Sequence, residues 1–188
     1  MFTTTINGIG YTFETSETCF SPRYVDSGTL AMLSRVEFKP GDKVLDLGCG
    51  YGVVGIVAAK YTEPENVYML DNDASALSCA ERNTAINGVG RVNIIHSEGF
   101  AGLDAAGFDY ILSNPPYQAD FSVPKMFIEK GFNRLKVGGR LFMVTKRKLW
   151  YKNKIAAIFG GVKIYEIDGY FVFEAEKRSL NRSNLMRS

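Results

Sequence analysis

The sequence predicts an α/β domain built on a mainly parallel sheet, and three observations carry that reading. Beyond residue 40, short apolar runs alternate with helical stretches, the pattern of right-handed βαβ units covered on both faces. A cluster of glycines joins the first of these runs to the helix after it. The last two runs flank Asp168-Gly169, a hairpin signal, so an antiparallel pair closes the sheet. At 188 residues the chain suits one domain.

From the N-terminus, Thr3 to Thr15 around Asn7-Gly8 reads as a small hairpin, and Asp26-Ser27-Gly28 opens a helix over Thr29 to Arg35. This forms an N-terminal extension, residues 1–36, ahead of a core at 37–178 and a polar tail at 179–188. In the core, Lys43 to Leu47 is a strand, Val53 to Lys60 a helix, and Asn66 to Leu70 a strand ending at Asp71. Ala74 to Asn87 is a helix stopped by Asn87-Gly88. Val92 to Ile95 and Phe108 to Ser113 are strands, and Val123 to Leu135 is a helix. Val137 to Arg140 turns into the strand Leu141 to Thr145, and Lys163 to Ile167 pairs with Tyr170 to Ala175.

Composition excludes several classes. Apolar residues are 46% and charged residues 22%, ordinary globular usage that argues against disorder. No apolar run reaches transmembrane length, and Met1 to Gly10 lacks the basic-then-apolar order of a secretory signal. Cys19, Cys49 and Cys79 form no CxxC pair, which fits neither a disulfide framework nor a zinc site and points to reduced thiols in a cytoplasmic protein. The single histidine, His96, rules out a histidine-rich metal site and reads as a structural strand-end residue; no metal is expected. Net charge is +2, but unevenly placed: residues 1–135 carry −6 and residues 136–188 carry +8, so an anionic partner on one side is expected.

Gly48, Gly50 and Gly52 in Val44-Leu45-Asp46-Leu47-Gly48-Cys49-Gly50-Tyr51-Gly52 let the backbone turn sharply and approach a ligand. The spacing GxGxG is neither the pyrophosphate fingerprint nor a P-loop. Asp71, ending the next strand, can accept both hydroxyls of a ribose, at the carboxyl strand ends where such sheets bind ligands. These residues resemble the class I S-adenosylmethionine-dependent methyltransferases, VLDLGCGYG their first motif and LDND their second. The resemblance implies a Rossmann-like methyltransferase fold with a seven-stranded sheet. It sets the glycine loop, Cys49 included, beside the methionine part of the cofactor, Asp46 near its amino group, and Asp71 with Asn72 at the ribose. Ser97, Glu98, Gly99 and Phe100 would border the adenine.

Ser113-Asn114-Pro115-Pro116-Tyr117 follows the fourth core strand. Two prolines stiffen the loop and leave carbonyls as acceptors, and Asn114 adds an amide oxygen. Such a group receives an NH₂: holding its protons aims the nitrogen lone pair at an electrophile and relieves positive charge as the bond forms. Tyr117 can stack on the ring bearing the amine. NPPY resembles the signature of amino-methyltransferases acting on adenine N6, guanine N2 or a glutamine amide, so Asn114, Pro115, Pro116 and Tyr117 are the candidate catalytic residues, with Asn114 also at the cofactor.

Upstream, Phe20-Ser21, Asp26 and Gly28 look like the FSxxxxDxG stretch of the "methyltransferase small" group, which contains rRNA guanine-N2 methyltransferases; there it covers the cofactor site, so Phe20 and Ser21 are cofactor candidates. The resemblance spans about residues 10–178 and matches the catalytic half of those two-domain enzymes. Those enzymes generally carry NPPF, so adenine N6 or a glutamine amide stays open beside guanine N2. Finally, Lys146-Arg147-Lys148-Leu149-Trp150-Tyr151-Lys152-Asn153-Lys154 combines five cations with two aromatics, a phosphate and base platform. Lys146, Arg147, Lys148, Trp150 and Tyr151 are therefore the candidate RNA contacts.

Overall fold

The computed structural model describes residues 1–16, 21, 23–115 and 120–179. At the N-terminus, β1 (Phe2–Ile6) and β2 (Ile9–Phe13) form an antiparallel hairpin. Its turn, Asn7-Gly8, has positive φ at both residues (51° and 79°), the geometry that Asn-Gly adopts at low cost. Helix α1 (Ser27–Leu33) follows, with the Asp26 side chain capping the Thr29 amide.

The core is one seven-stranded sheet made of β3 (Val44–Leu47), β4 (Val67–Asp71), β5 (Asn93–His96), β6 (Phe108–Ser113), β7 (Leu135–Thr145), β8 (Lys163–Ile167) and β9 (Tyr170–Glu176). Their order is β5-β4-β3-β6-β7-β9-β8, with β9 antiparallel to both β7 and β8 and the other pairs parallel. Helices α2 (Val53–Ala58), α3 (Ala74–Ile86), α4 (Ser122–Arg134) and α5 (Lys148–Phe159) connect them. The predicted parallel sheet, C-terminal antiparallel pair and N-terminal hairpin are all present.

Two apolar layers flank the sheet. Met32 of α1, Ile56 of α2, Ala80 of α3 and Phe13 of β2 belong to one. Phe127 and Phe132 of α4 and Ile155 and Phe159 of α5 belong to the other. Strand β3 serves both by alternation: Val44 faces the first layer, Leu45 and Leu47 the second. The hairpin is held to α3 by two asparagines one turn apart. Asn87 bonds both the amide and carbonyl of Thr12, and Asn83 bonds those of Glu14 while also donating to the Tyr51 carbonyl (2.9 Å). Asn83 thus ties the extension to the glycine loop.

Two departures from the sequence reading have local causes. Residues 148–159 form helix α5, which the cation-rich start of the segment conceals. β7 begins at Leu135, earlier than the expected Leu141, because Gly138 and Gly139 exchange backbone hydrogen bonds with Lys177 and carry the ladder across the expected turn. No helix among the described residues is long and apolar enough to cross a membrane.

Candidate active site

The chain reverses its direction of winding between β3 and β6, since β4 and β5 lie on one side of β3 and all later strands on the other. A crevice opens at the carboxyl ends of strands at such a switch point. Here it is a cavity of about 410 Å³, and Gly48, Gly50, Asp71 and Asn114 all line it. The Ser113 hydroxyl donates to the Leu47 carbonyl (2.7 Å), which fastens the end of β6 to the end of β3 and sets Asn114 beside the glycine loop.

The loop itself is braced from β4. The amides of Gly48 and Cys49 donate to the Leu70 carbonyl (2.8 and 2.9 Å), and the Gly50 amide donates to Asp71 Oδ2 (2.8 Å). Gly48 and Gly50 both have positive φ (73° and 54°). A Cβ on Gly50 would meet nothing within 4 Å, whereas one on Gly52 would lie 2.5 Å from Met69 Cε. The glycines therefore divide by role. Gly48 and Gly50 keep the cavity wall low, while Gly52 serves close packing under the turn and does not line the cavity.

Asp46 is buried and its Oδ2 accepts from the Gly55 amide (2.9 Å). Burial pushes its carboxyl up to about 7; the Gly55 hydrogen bond opposes the shift and the Asp71 charge adds to it. Burial, with the charges of Asp46 and Asp71, pushes the Cys49 thiol well up, so Cys49 is a wall residue and no thiolate nucleophile. On the far side, Asn72 Nδ2 donates to Glu98 (3.2 Å), and Ser97 Oγ accepts from Gly102 and donates to the Gly99 carbonyl (both 2.9 Å).

The lining includes Asp26, Asp46, Asp71, Asp73 and Glu98 and, among the described residues, no lysine or arginine. Such a site repels phosphate and suits a cationic ligand. Outside it, Lys146, Arg147 and Lys148 are exposed where β7 ends. The Arg147 guanidinium lies 5.2 Å from the Phe121 ring centroid, and Phe121 stacks on Trp150 at 4.4 Å.

Of the predicted cofactor residues, Asp46, Gly48, Cys49, Gly50, Asp71, Asn72, Ser97, Glu98, Gly99 and Asn114 line this cavity. Phe100 does not: it is buried edge-on against Phe127 and belongs to the core. Ser21 bonds the Tyr24 carbonyl and lies outside the lining. Tyr151 is corrected as an RNA contact, because it is 4% exposed and stacked on Phe173. Pro115 is buried and outside the lining. Phe20, Pro116 and Tyr117, together with Cys19, lie outside the described residues. Sequence reasoning missed an apolar wall from α4, formed by Val123, Met126 and Phe127, whose i, i+3, i+4 spacing was the available signal. It also missed Asp26 and Thr29 as lining residues, although Asp26 stood in the FSxxxxDxG stretch.

Comparison with known proteins identifies the family. The methyltransferase small domain family matches residues 10–174. The uncharacterized protein YbxB of Bacillus subtilis is 30% identical over 173 residues, covering 89% of this chain and 86% of its own. Ribosomal RNA small subunit methyltransferase C of Hahella chejuensis is 34% identical over 161 residues, 83% of this chain and 46% of that one. Among solved structures, the Thermus thermophilus 16S rRNA N2-guanine methyltransferase RsmC, in complex with AdoMet and guanosine, superposes with a TM-score of 0.87 at 28% identity, covering 94% of this chain and 50% of that one. The chain thus spans about half the length of the rRNA methyltransferases it matches. By motif, fold and sequence, the chain belongs to the methyltransferase small domain family.

Proposed function

We propose that this protein is an S-adenosylmethionine-dependent N-methyltransferase acting on an exocyclic amino group of a nucleobase in RNA, with guanine N2 in rRNA as the substrate. The observation that carries the reading is that Asn114 lines the same cavity as Gly48, Gly50 and Asp71. An amine receptor and a nucleoside-binding wall then face one space.

The residues fit the cofactor. Among the described residues the charged side chains of the lining are all carboxylates, which suits a ligand bearing sulfonium and ammonium charges, and the low wall at Gly50 admits close backbone approach. Asp46 would face the ammonium, Asp71 the ribose, and Ser97, Glu98 and Gly99 the adenine. Bound there, S-adenosylmethionine supplies an electrophilic methyl group. Asn114 Oδ1 accepts an N–H of the substrate amine, which turns the nitrogen lone pair toward the methyl and stabilises the positive charge that develops on nitrogen. With so reactive a donor no strong general base is required. Residues 1–36 act as an extension that covers the cofactor, since Asp26 and Thr29 reach the cavity from it.

The cationic rim at Lys146, Arg147 and Lys148 favours RNA over a glutamine-bearing protein, for which it has no evident use. The names of the relatives support rRNA. An rRNA substrate implies a cytoplasmic enzyme, in keeping with the buried thiol of Cys49. Incubation with methyl-labelled S-adenosylmethionine and unmodified rRNA transcripts, followed by digestion to nucleosides, is expected to yield labelled N2-methylguanosine. Label confined to another nucleoside would replace guanine, and label only in protein would overturn the RNA reading. Asn114→Ala should lower the rate by about 10²–10³ while calorimetric binding of S-adenosylmethionine persists.

A further inference from the structure

We propose that Asp26 is the positioning residue of the reaction: it locks the Asn114 amide so that only its oxygen can meet the substrate. This rests on the amino-methyltransferase reading above. The Asn114 amide nitrogen donates to Asp26 Oδ2 (2.8 Å) and to Thr29 Oγ1 (2.9 Å). Both of its hydrogens are thereby directed into the extension. Turning the amide over would set its oxygen against a carboxylate oxygen at 2.8 Å, two acceptors in contact, which is repulsive. The end of the amide turned away from the extension is therefore Oδ1, an acceptor.

That orientation decides chemistry. An acceptor at this point holds an amine by its N–H and offers nothing to a ring carbonyl. A flipped amide would hold the carbonyl and misdirect the amine. Selection of a nitrogen as methyl acceptor over an oxygen is thus assigned to Asp26, which lies 88 residues away from Asn114 in sequence.

Asp26 is itself held by two elements, α1 and β9. Its Oδ2 accepts from the Thr29 amide (3.1 Å) as the cap of α1. Its Oδ1 accepts from the Tyr170 hydroxyl at the start of β9 (3.5 Å). Gly28 completes the arrangement, because a Cβ there would lie 2.7 Å from the Tyr170 ring and 2.9 Å from Asp26 Oδ2. Glycine costs a helix about 1 kcal/mol relative to alanine, so the close approach of Tyr170 explains its presence inside α1. The Tyr170 ring in turn lies 4.8 Å from Lys146 Nζ on the cationic rim, so the brace runs from the RNA-facing surface to Asn114.

Two substitutions separate capping from positioning. Asp26→Ser keeps a cap acceptor for Thr29 but is too short to reach Asn114. Asp26→Asn keeps one oxygen of the right reach. Single-turnover methylation of rRNA transcripts by Asp26→Ser, at saturating S-adenosylmethionine, should be about 10²-fold slower, as expected for a misaligned reacting group, with the fold retained by circular dichroism. Asp26→Asn should recover most of that loss. Combined with Asn114→Ala, Asp26→Ser should add no further loss. A substrate-independent reading comes from NMR hydrogen exchange of the Asn114 side-chain amide in the free protein, which should quicken in Asp26→Ser and not in Asp26→Asn. Wild-type rates in Asp26→Ser, or unchanged amide exchange, would overturn the proposal while leaving the function standing. A full rate in Asn114→Ala, or rRNA that takes no methyl at all, would instead overturn the function, and the exchange measurement would still decide whether Asp26 orients the amide.

Discussion

Asp46 shows how one residue in a strand can be costly to the fold and useful to the site. It occupies a position of β3 whose neighbours are Val44, Leu45 and Leu47, all essentially inaccessible, and its carboxyl is raised to about 7 by that burial. A carboxyl whose folded value lies above its unfolded value of 3.8 favours the folded state most when protonated, and that advantage is lost as pH rises from about 4 to about 7. Asp46→Asn should therefore raise the melting temperature of the free protein, more at pH 8 than at pH 5. In the wild type, the proposed ammonium-bearing cofactor needs the ionised form, so S-adenosylmethionine affinity should climb with pH toward about 7, by at most about tenfold per unit, and fall again once the ammonium itself deprotonates at about pH 8. Calorimetry across that range is the check; a flat profile would show that Asp46 does not face the ammonium.

Elements carry the division between what was legible and what was not. The alternation from Lys43 to Thr145 announced the parallel sheet, because strands buried on both faces read as short apolar runs. Helix α5 was hidden because its first turn is crowded with cations, although Tyr151, Ile155, Ile158 and Phe159 repeat at i, i+4, i+7 and i+8. That periodicity also settles which aromatic faces outward: Tyr151 turns to the core, and Trp150, one position back, stacks on Phe121 near Arg147. If Lys146, Arg147 and Lys148 each neutralise one phosphate of unpaired RNA, their joint replacement by Gln should shallow the log–log salt dependence of RNA binding by roughly two units. An unchanged slope would move the RNA surface elsewhere.

At the scale of the whole molecule, local motifs gave good account of the cavity's glycine and acidic walls, since each follows its own strand in sequence. Asp26 reaching Asn114, and Val123, Met126 and Phe127 closing the apolar side, depend on how the extension and α4 pack, which neighbouring residues do not encode. The result is a molecule with opposite signs inside and outside: carboxylates in the cavity, cations at its rim. This bears on turnover. In the proposed reaction, loss of the methyl would turn the sulfonium into a neutral thioether, and the spent nucleoside would have one positive charge fewer with which to hold the carboxylates. Raising ionic strength from about 50 to 500 mM should therefore weaken S-adenosylmethionine binding more than S-adenosylhomocysteine binding. Chemistry would itself loosen the spent carrier, so that the same charges that draw the donor in help the product out.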